Sequence, residues 1–234
     1  MLGNGEQGEI SSGLASFSTQ VFREHFFGNL TNNWGTFNVG AGSLNTVNVT
    51  GQQTRFGIIR HATGTTATGT AGIHTGQAMT QIGGIKTHIF GGVFSLQAAS
   101  SATQRFIIRA GLSNNVTVGA DPTDGIYIRY TDNINSGRLQ LVCRRASVEA
   151  VFNSVFTPTL NENVNWYVVV NGALTSADLY ISTAQNNPTL AGSVTTAANF
   201  PLNSTVLGFM QHIQKTVGIT TSLFDVDLSF YDLA

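Results

Sequence analysis

The chain has 234 residues and a net charge of −1, and Asp, Glu, Lys and Arg together make up 10% of it, far below the roughly 25% of an average soluble domain. That balance excludes a general nucleic-acid binder, which carries a basic patch. With 41% hydrophobic residues it also excludes a disordered chain. A surface so poor in charge is built from Thr, Asn, Ser, Gln and Gly. It does little to repel copies of itself, and it suits a protein packed in an assembly or a fibre.

In chain order, residues 1–20 are Gly- and Ser-rich without a sustained period. They read as an N-terminal arm that docks on a neighbouring subunit, ahead of one domain over residues 21–234. The opening Met1 to Glu6 lacks the basic and then apolar order of a secretion signal. Ser18 to Phe27 fits a short helix or a strand. Beyond it the pattern is β throughout. Strands are predicted near Phe56–His61, Ala71–Thr75, Lys86–Leu96, Arg105–Leu112, Ile126–Thr131, Leu139–Arg144, Val148–Phe152, Trp166–Asn171, Ala177–Ser182, Val206–Lys215 and Leu223–Leu233.

The clearest signal is in the middle. Asp121-Pro122-Thr123-Asp124-Gly125 is a turn, and it feeds a strand in which Ile126, Ile128 and Tyr130 alternate with Tyr127, Arg129 and Thr131. A second turn leads to the alternating run Arg138 to Cys143. Turn chemistry and period-2 alternation together predict a hairpin. In Arg105–Leu112 the inward set is Phe106, Ile108, Ala110 and Leu112. In the last strand it is Phe224, Val226, Leu228 and Phe230, set against Asp225, Asp227, Ser229 and Tyr231. One apolar and one polar face is the mark of antiparallel sandwich sheets. The fold class predicted is all-β: an antiparallel two-sheet β-sandwich of jelly-roll type. No apolar run is long enough to cross a membrane as a helix.

Little in the sequence is reactive. Cys143 is the single cysteine, so no intrachain disulfide forms, and it falls on the Leu face of its strand as a small core residue. The five histidines, His25, His61, His74, His88 and His212, have no zinc-ligand spacing. Asp121, Asp124 and Asp132 read as turn residues rather than a calcium cage. No metal or cofactor is expected. Asp225 and Asp227, two apart on one strand face, are the only carboxylate pair at glycosidase spacing, about 7 Å. They read as a solvated or interface face, so no catalytic residue is assigned. Among the aromatics, Trp166 shares a face with Val168 and Val170 and belongs to the core, and Trp34 packs at the sandwich edge. Tyr127, Tyr167 and Tyr180 point away from the apolar sets and are the candidates for stacking on a glycan.

Several blocks, taken in order, resemble a concanavalin A-like, lectin-type jelly roll found in phage tail-fibre, tail and head structural proteins. They are Glu24-His25-Phe26-Phe27-Gly28 with Trp34, then Arg60 to Thr66, Arg105 to Gly111, and Asp121 to Tyr130. Asn165-Trp166-Tyr167 with Asn171, Asp178 to Ile181, Ile213 to Gly218 and Phe224 to Asp227 complete the set. The opening Glu24-His25 departs from the family's acidic pair, and Arg144-Arg145 stands where a neutral stretch is usual. The resemblance implies a non-enzymatic virion structural protein. It would decorate or cement the capsid, or form part of a tail or fibre, with the arm as attachment element. It also implies virion localisation, contact with a major capsid or tail protein, and a homo-oligomer, taken as a trimer. The alternative it leaves open is a receptor- or glycan-binding adhesin module.

Overall fold

A computed structural model describes residues 19–25, 34–47, 57–76, 79–84, 86–116, 120–131, 135–183 and 187–234. The strands are β1 (Thr19–His25), β2 (Gly35–Val39), β3 (Ser43–Val47), β4 (Ile58–Ala62), β5 (Thr70–His74), β6 (Thr80–Gln81), β7 (His88–Leu96) and β8 (Arg105–Ser113). They continue as β9 (Gly125–Tyr130), β10 (Leu139–Arg145), β11 (Val148–Asn153), β12 (Val164–Val170), β13 (Ala177–Thr183), β14 (Thr189–Val194), β15 (Val206–Val217) and β16 (Leu223–Leu233), with a 3-10 turn at Ala197–Asn199. The ambiguous segment Ser18–Phe27 holds the strand β1. The expected arm lies outside the described residues, apart from Thr19 and Gln20, which open β1.

Two antiparallel sheets face each other. The first runs β14-β13-β12-β7-β16-β4-β3, and β1 adds to the far half of β16. The second runs β11-β10-β9-β8-β15-β5-β2, with the short β6 against the start of β15. The predicted all-β sandwich is therefore the observed one. Sequence-adjacent strands often lie in different sheets: β4 is in the first and β5 in the second. A two-sheet sandwich of this kind buries alternate residues of every central strand.

The alternation predicted for β8, β9 and β10 holds. Phe106, Ile108, Ala110 and Leu112 enter the core with Ile126, Ile128, Tyr130, Leu139, Leu141 and Cys143. Burial in apolar surroundings pushes the Cys143 thiol well above its ordinary range, which makes it inert. Across the sandwich stand Phe90, Phe94, Trp166 and Val168 of the first sheet. Phe209 of β15 joins the two halves. Its ring meets Phe90, Phe22 and Trp34 edge-on, with centroids 6.4, 5.6 and 6.1 Å away, an arrangement that aromatic quadrupoles favour.

The last strand corrects the sequence reading. Its register against β7 shifts between Val226 and Leu228. Such a bulge exchanges the two faces of everything beyond it. Phe224 and Val226 enter the core as expected, but Ser229 and Tyr231 follow them inward, and Leu228 and Phe230 turn to the outer face. The reason is a change of neighbour. The first half of β16 pairs with β4 and the second half with β1. Ser229 is accommodated inside by Gln211, whose amide donates to its hydroxyl at 2.7 Å.

Replacing Phe209 by Ala removes the ring that both sheets share. A loss of about 3–5 kcal/mol in unfolding free energy is expected, measured by urea denaturation.

Candidate functional site

The outer face of the second sheet carries an unbroken row of directly paired residues: Phe37, Gly72, His212, Arg109, Arg129, Gln140 and Asn153. Gly72 is needed there, because a Cβ would lie 2.3 Å from the Phe37 ring and 2.7 Å from the His212 Cβ. Arg109 and Arg129 stand directly opposite each other, and both are almost fully buried, at 2% and 4% exposure. Like charges in that position repel, so something anionic has to lie between them.

Asp121 does so. Arg109 Nε donates to Asp121 Oδ1 at 2.6 Å, and Arg129 Nη1 approaches Oδ2 at 3.5 Å. Glu149 takes the other edge of Arg129 in two bonds of 3.1 Å and also accepts from Arg144. Arg129 Nε donates to Gln140 and Arg109 Nη1 to Gln214, and the Gln140 amide passes on to Asn153. Three guanidiniums thus face two carboxylates. Burial pushes the Asp121 carboxyl up, but Arg109, Arg129 and Arg144 outweigh it and hold the group below its ordinary range.

Asp121 is held in this position by the described ends of the β8–β9 connection. Asn114 fastens it, donating to Thr123 and Asp124 and accepting from the Asp124 N–H. Asp124 accepts from the Ala146 N–H and so ties the loop to the β10–β11 hairpin. Val116 then covers Tyr127, Val142 and Met210 as a small second core.

Tyr127, one of the three candidate glycan tyrosines, is thereby corrected. It points away from the sandwich core as the alternation requires, but it is fully buried beneath the loop. Its hydroxyl donates to Asp121 at 3.3 Å, and burial pushes its ionisation far up. No sugar ring can reach its faces. Alternation along a strand reports which face a residue takes, and it says nothing of what later covers that face.

Tyr167 and Tyr180 do come together. They are direct cross-strand partners on β12 and β13. Their rings lie parallel, with centroids 4.5 Å apart and planes 9° apart, half-buried on the outer face of the first sheet. On the same face their row continues to Leu190 on one side and, across Gly91, to Phe230 and Arg23 on the other. The Arg23 guanidinium sits over the Phe230 ring at 5.6 Å. A Cβ on Gly91 would lie 2.2 Å from the Trp166 carbonyl, so only glycine lets β12 approach here. The adjoining rows supply hydrogen-bonding groups: Asn165 and Ser182 on one side, Asp178 and Ser193 on the other.

The remaining candidates are structural. Asp225 is buried in a two-pronged pair with Arg60, both contacts 2.7 Å, and Asp227 falls at the bulge. The even spacing assumed for the two carboxylates does not exist. Asp132 lies outside the described residues, and among those described no group of His, Cys, Asp and Glu has the arrangement of a metal site. His61 is buried and pushed down to about 3. His212 is held well below its ordinary range by burial and then by Arg109. Arg109 donates to His212 Nε2 at 3.1 Å, which leaves the imidazole proton on Nδ1.

The model of the SO2946-like C-terminal domain family matches residues 54–227. The chain belongs to this family. Its fold is similar to that of a Shewanella oneidensis protein of unknown function, SO2946, with a TM-score of 0.65 and 16% identity over 96% of this chain and 90% of that one. Peanut lectin superposes with a TM-score of 0.64 at 8% identity, covering 94% of this chain and 99% of the lectin. An endo-1,3-β-glucanase from Streptomyces sioyaensis gives 0.59 at 9% identity, covering 95% and 99%. No curated protein matches the sequence. At these identities the likeness is one of fold, a lectin-type jelly roll.

Two outcomes follow for the buried charges. Replacing Asp121 by Ala leaves Arg109 and Arg129 facing each other without their bridge. A loss of about 3 kcal/mol in unfolding free energy is expected. Second, His61 and His212 stay neutral in the fold while the unfolded chain protonates them below about pH 6.5. The unfolded state then binds more protons, so stability falls with falling pH. Each histidine removes about 2 kcal/mol between pH 7 and 5 by that linkage, which urea denaturation at the two pH values measures. His61→Gln and His212→Gln flatten the profile.

Proposed function

We propose that this domain is a non-enzymatic, lectin-type glycan-binding module, and that the ring faces of Tyr167 and Tyr180 turned away from each other take its sugar. The observation that carries the reading is the parallel, half-exposed tyrosine pair with amide, hydroxyl and carboxylate groups in the rows beside it. A sugar ring offers a C–H face to an aromatic ring and hydroxyls to Asn, Ser and Asp. Sites for small ligands combine an apolar surface with a few placed polar groups in this way. The lectin-type fold supports the same reading.

Against catalysis stands the state of the carboxylates. Glycoside hydrolysis needs a pair, one of them held protonated by a raised pKa. Asp121 is shifted the other way by its arginines, Glu149 is bound by Arg129 and Arg144, and Asp225 by Arg60. Asp232 is raised by burial, but its partner in β7 is Ile89, which offers no second carboxylate.

A second reading, a structural part of a virion, is favoured by the 10% charge content, which suits a subunit packed among others. On that reading the arm, residues 1–20, attaches a trimer to a capsid or tail protein. Gold-antibody labelling of native particles tests it, and absence of label from every particle removes it.

For the glycan reading, the whole chain is applied to a broad glycan array. Retention on at least one glycan class is expected, weakened tenfold or more by Tyr167→Ala or Tyr180→Ala. Tyr127→Phe, a change under the loop, leaves it intact. No retention across the array overturns the reading.

A further inference from the structure

The core-facing column of β10 reads Leu139, Leu141, Cys143 and then Arg145. The first three enter the sandwich, and the fourth reaches its open edge. Arg145 is half-buried there. Its neighbour Arg144 is engaged by Glu149, but Arg145 makes no ion pair or side-chain hydrogen bond with any described residue. A guanidinium without an internal partner keeps its donors for an external anion.

Arg145 opens instead into a cleft of about 460 Å³, whose other walls include Leu174, Phe200, Pro201, Leu202 and Asn203. The volume is that of a small-molecule site. Its walls are fixed from several sides. The Asn199 amide donates to the Val148 carbonyl at 3.1 Å and ties the 3-10 turn to the β10–β11 hairpin. The Asn171 side chain accepts from the N–H groups of Thr175 and Ser176 and so sets the loop that carries Leu174. Gly83 packs so closely that a Cβ there would lie 2.8 Å from the Asn203 Cβ. Little ordering remains to oppose binding.

We infer that this cleft binds a carboxylate-bearing sugar, a hexuronate or its oligosaccharide. The planar guanidinium matches a carboxylate in a two-pronged pair. Leu174 and Leu202, backed by the buried Phe200, suit the C–H face of a pyranose, and the Asn203 amide suits a hydroxyl. A bare inorganic anion would leave that apolar wall unused. The inference rests on the glycan-binding reading for its class of ligand, but it uses none of the residues of the tyrosine platform.

The test is isothermal titration of the whole chain with galacturonate and glucuronate oligosaccharides, with their neutral counterparts, and with inorganic sulfate. Uronate binding is expected. It weakens at least tenfold in Arg145→Gln, recovers in part in Arg145→Lys, and is unchanged in Tyr167→Ala. An unchanged melting temperature in Arg145→Gln assigns the loss to the site. Equal uronate affinity in Arg145→Gln, equal affinity for the neutral sugars, or binding of sulfate alone overturns the inference. Uronate binding absent while neutral glycans still bind through the tyrosines overturns this inference alone. Absence of both removes the glycan reading with it.

Discussion

Two buried arginines facing each other across β8 and β9 set a condition that much of this molecule meets. Side by side on a sheet, Arg109 and Arg129 repel, and neither reaches bulk water. The fold brings Asp121 between them and Glu149 beside them, and each carboxylate arrives by a different route. Asp121 comes from the β8–β9 connection, and Glu149 from the far strand of the next hairpin. The charge pairing therefore fixes where the loop lies and how β11 is aligned. It also explains why Val116 covers Tyr127, Val142 and Met210. The loop that delivers the carboxylate brings its apolar residue along.

The two sheets end up with different outer faces. That of the second sheet is closed over a charged network, in which His212 is neutral and Gln140 and Gln214 accept from the arginines. Its cross-strand bonds contribute rigidity, and a ligand would have to displace what already holds it together. Among the described residues, the first sheet leaves Tyr180 and Tyr167 half-exposed, while Arg23 lies over Phe230 beyond Gly91. Recognition fits the open face and the cleft at the sandwich edge better than the closed one.

The fold is one on which both lectins and a glucanase are built, so fold alone does not choose between holding a sugar and cutting one. The difference lies in how carboxylates are held. A general acid needs a carboxyl whose proton is retained near neutral pH. The arginines around Asp121 favour the ionised form instead, and Asp225 is engaged by Arg60 in two short bonds. The same basic side chains that stabilise the fold thus work against acid catalysis at these positions.

Much of the architecture is legible along the chain. Period-2 alternation in Phe106–Leu112, Ile126–Tyr130 and Leu139–Cys143 determines which side chains enter the core. The Asp121–Gly125 turn announces the strand after it. Short or irregular strands such as Gly35–Val39, Ser43–Val47 and Thr189–Val194 carry no comparable pattern and emerge only through their partners. The candidate site was legible in part. Tyr167 and Tyr180 are outward by alternation, but nothing local aligns them as partners, since that depends on the register of β12 against β13. Tyr127 obeys the same alternation and is lost beneath a loop. The bulge in the middle of β16 falls where the strand changes neighbours. The sequence by itself determined the sandwich and the inward faces of its unbulged central strands, because alternation is a local property of a pleated strand. Tertiary structure alone decided which outward residues meet, which are covered and which charges are matched, because these depend on contacts between segments far apart in the chain.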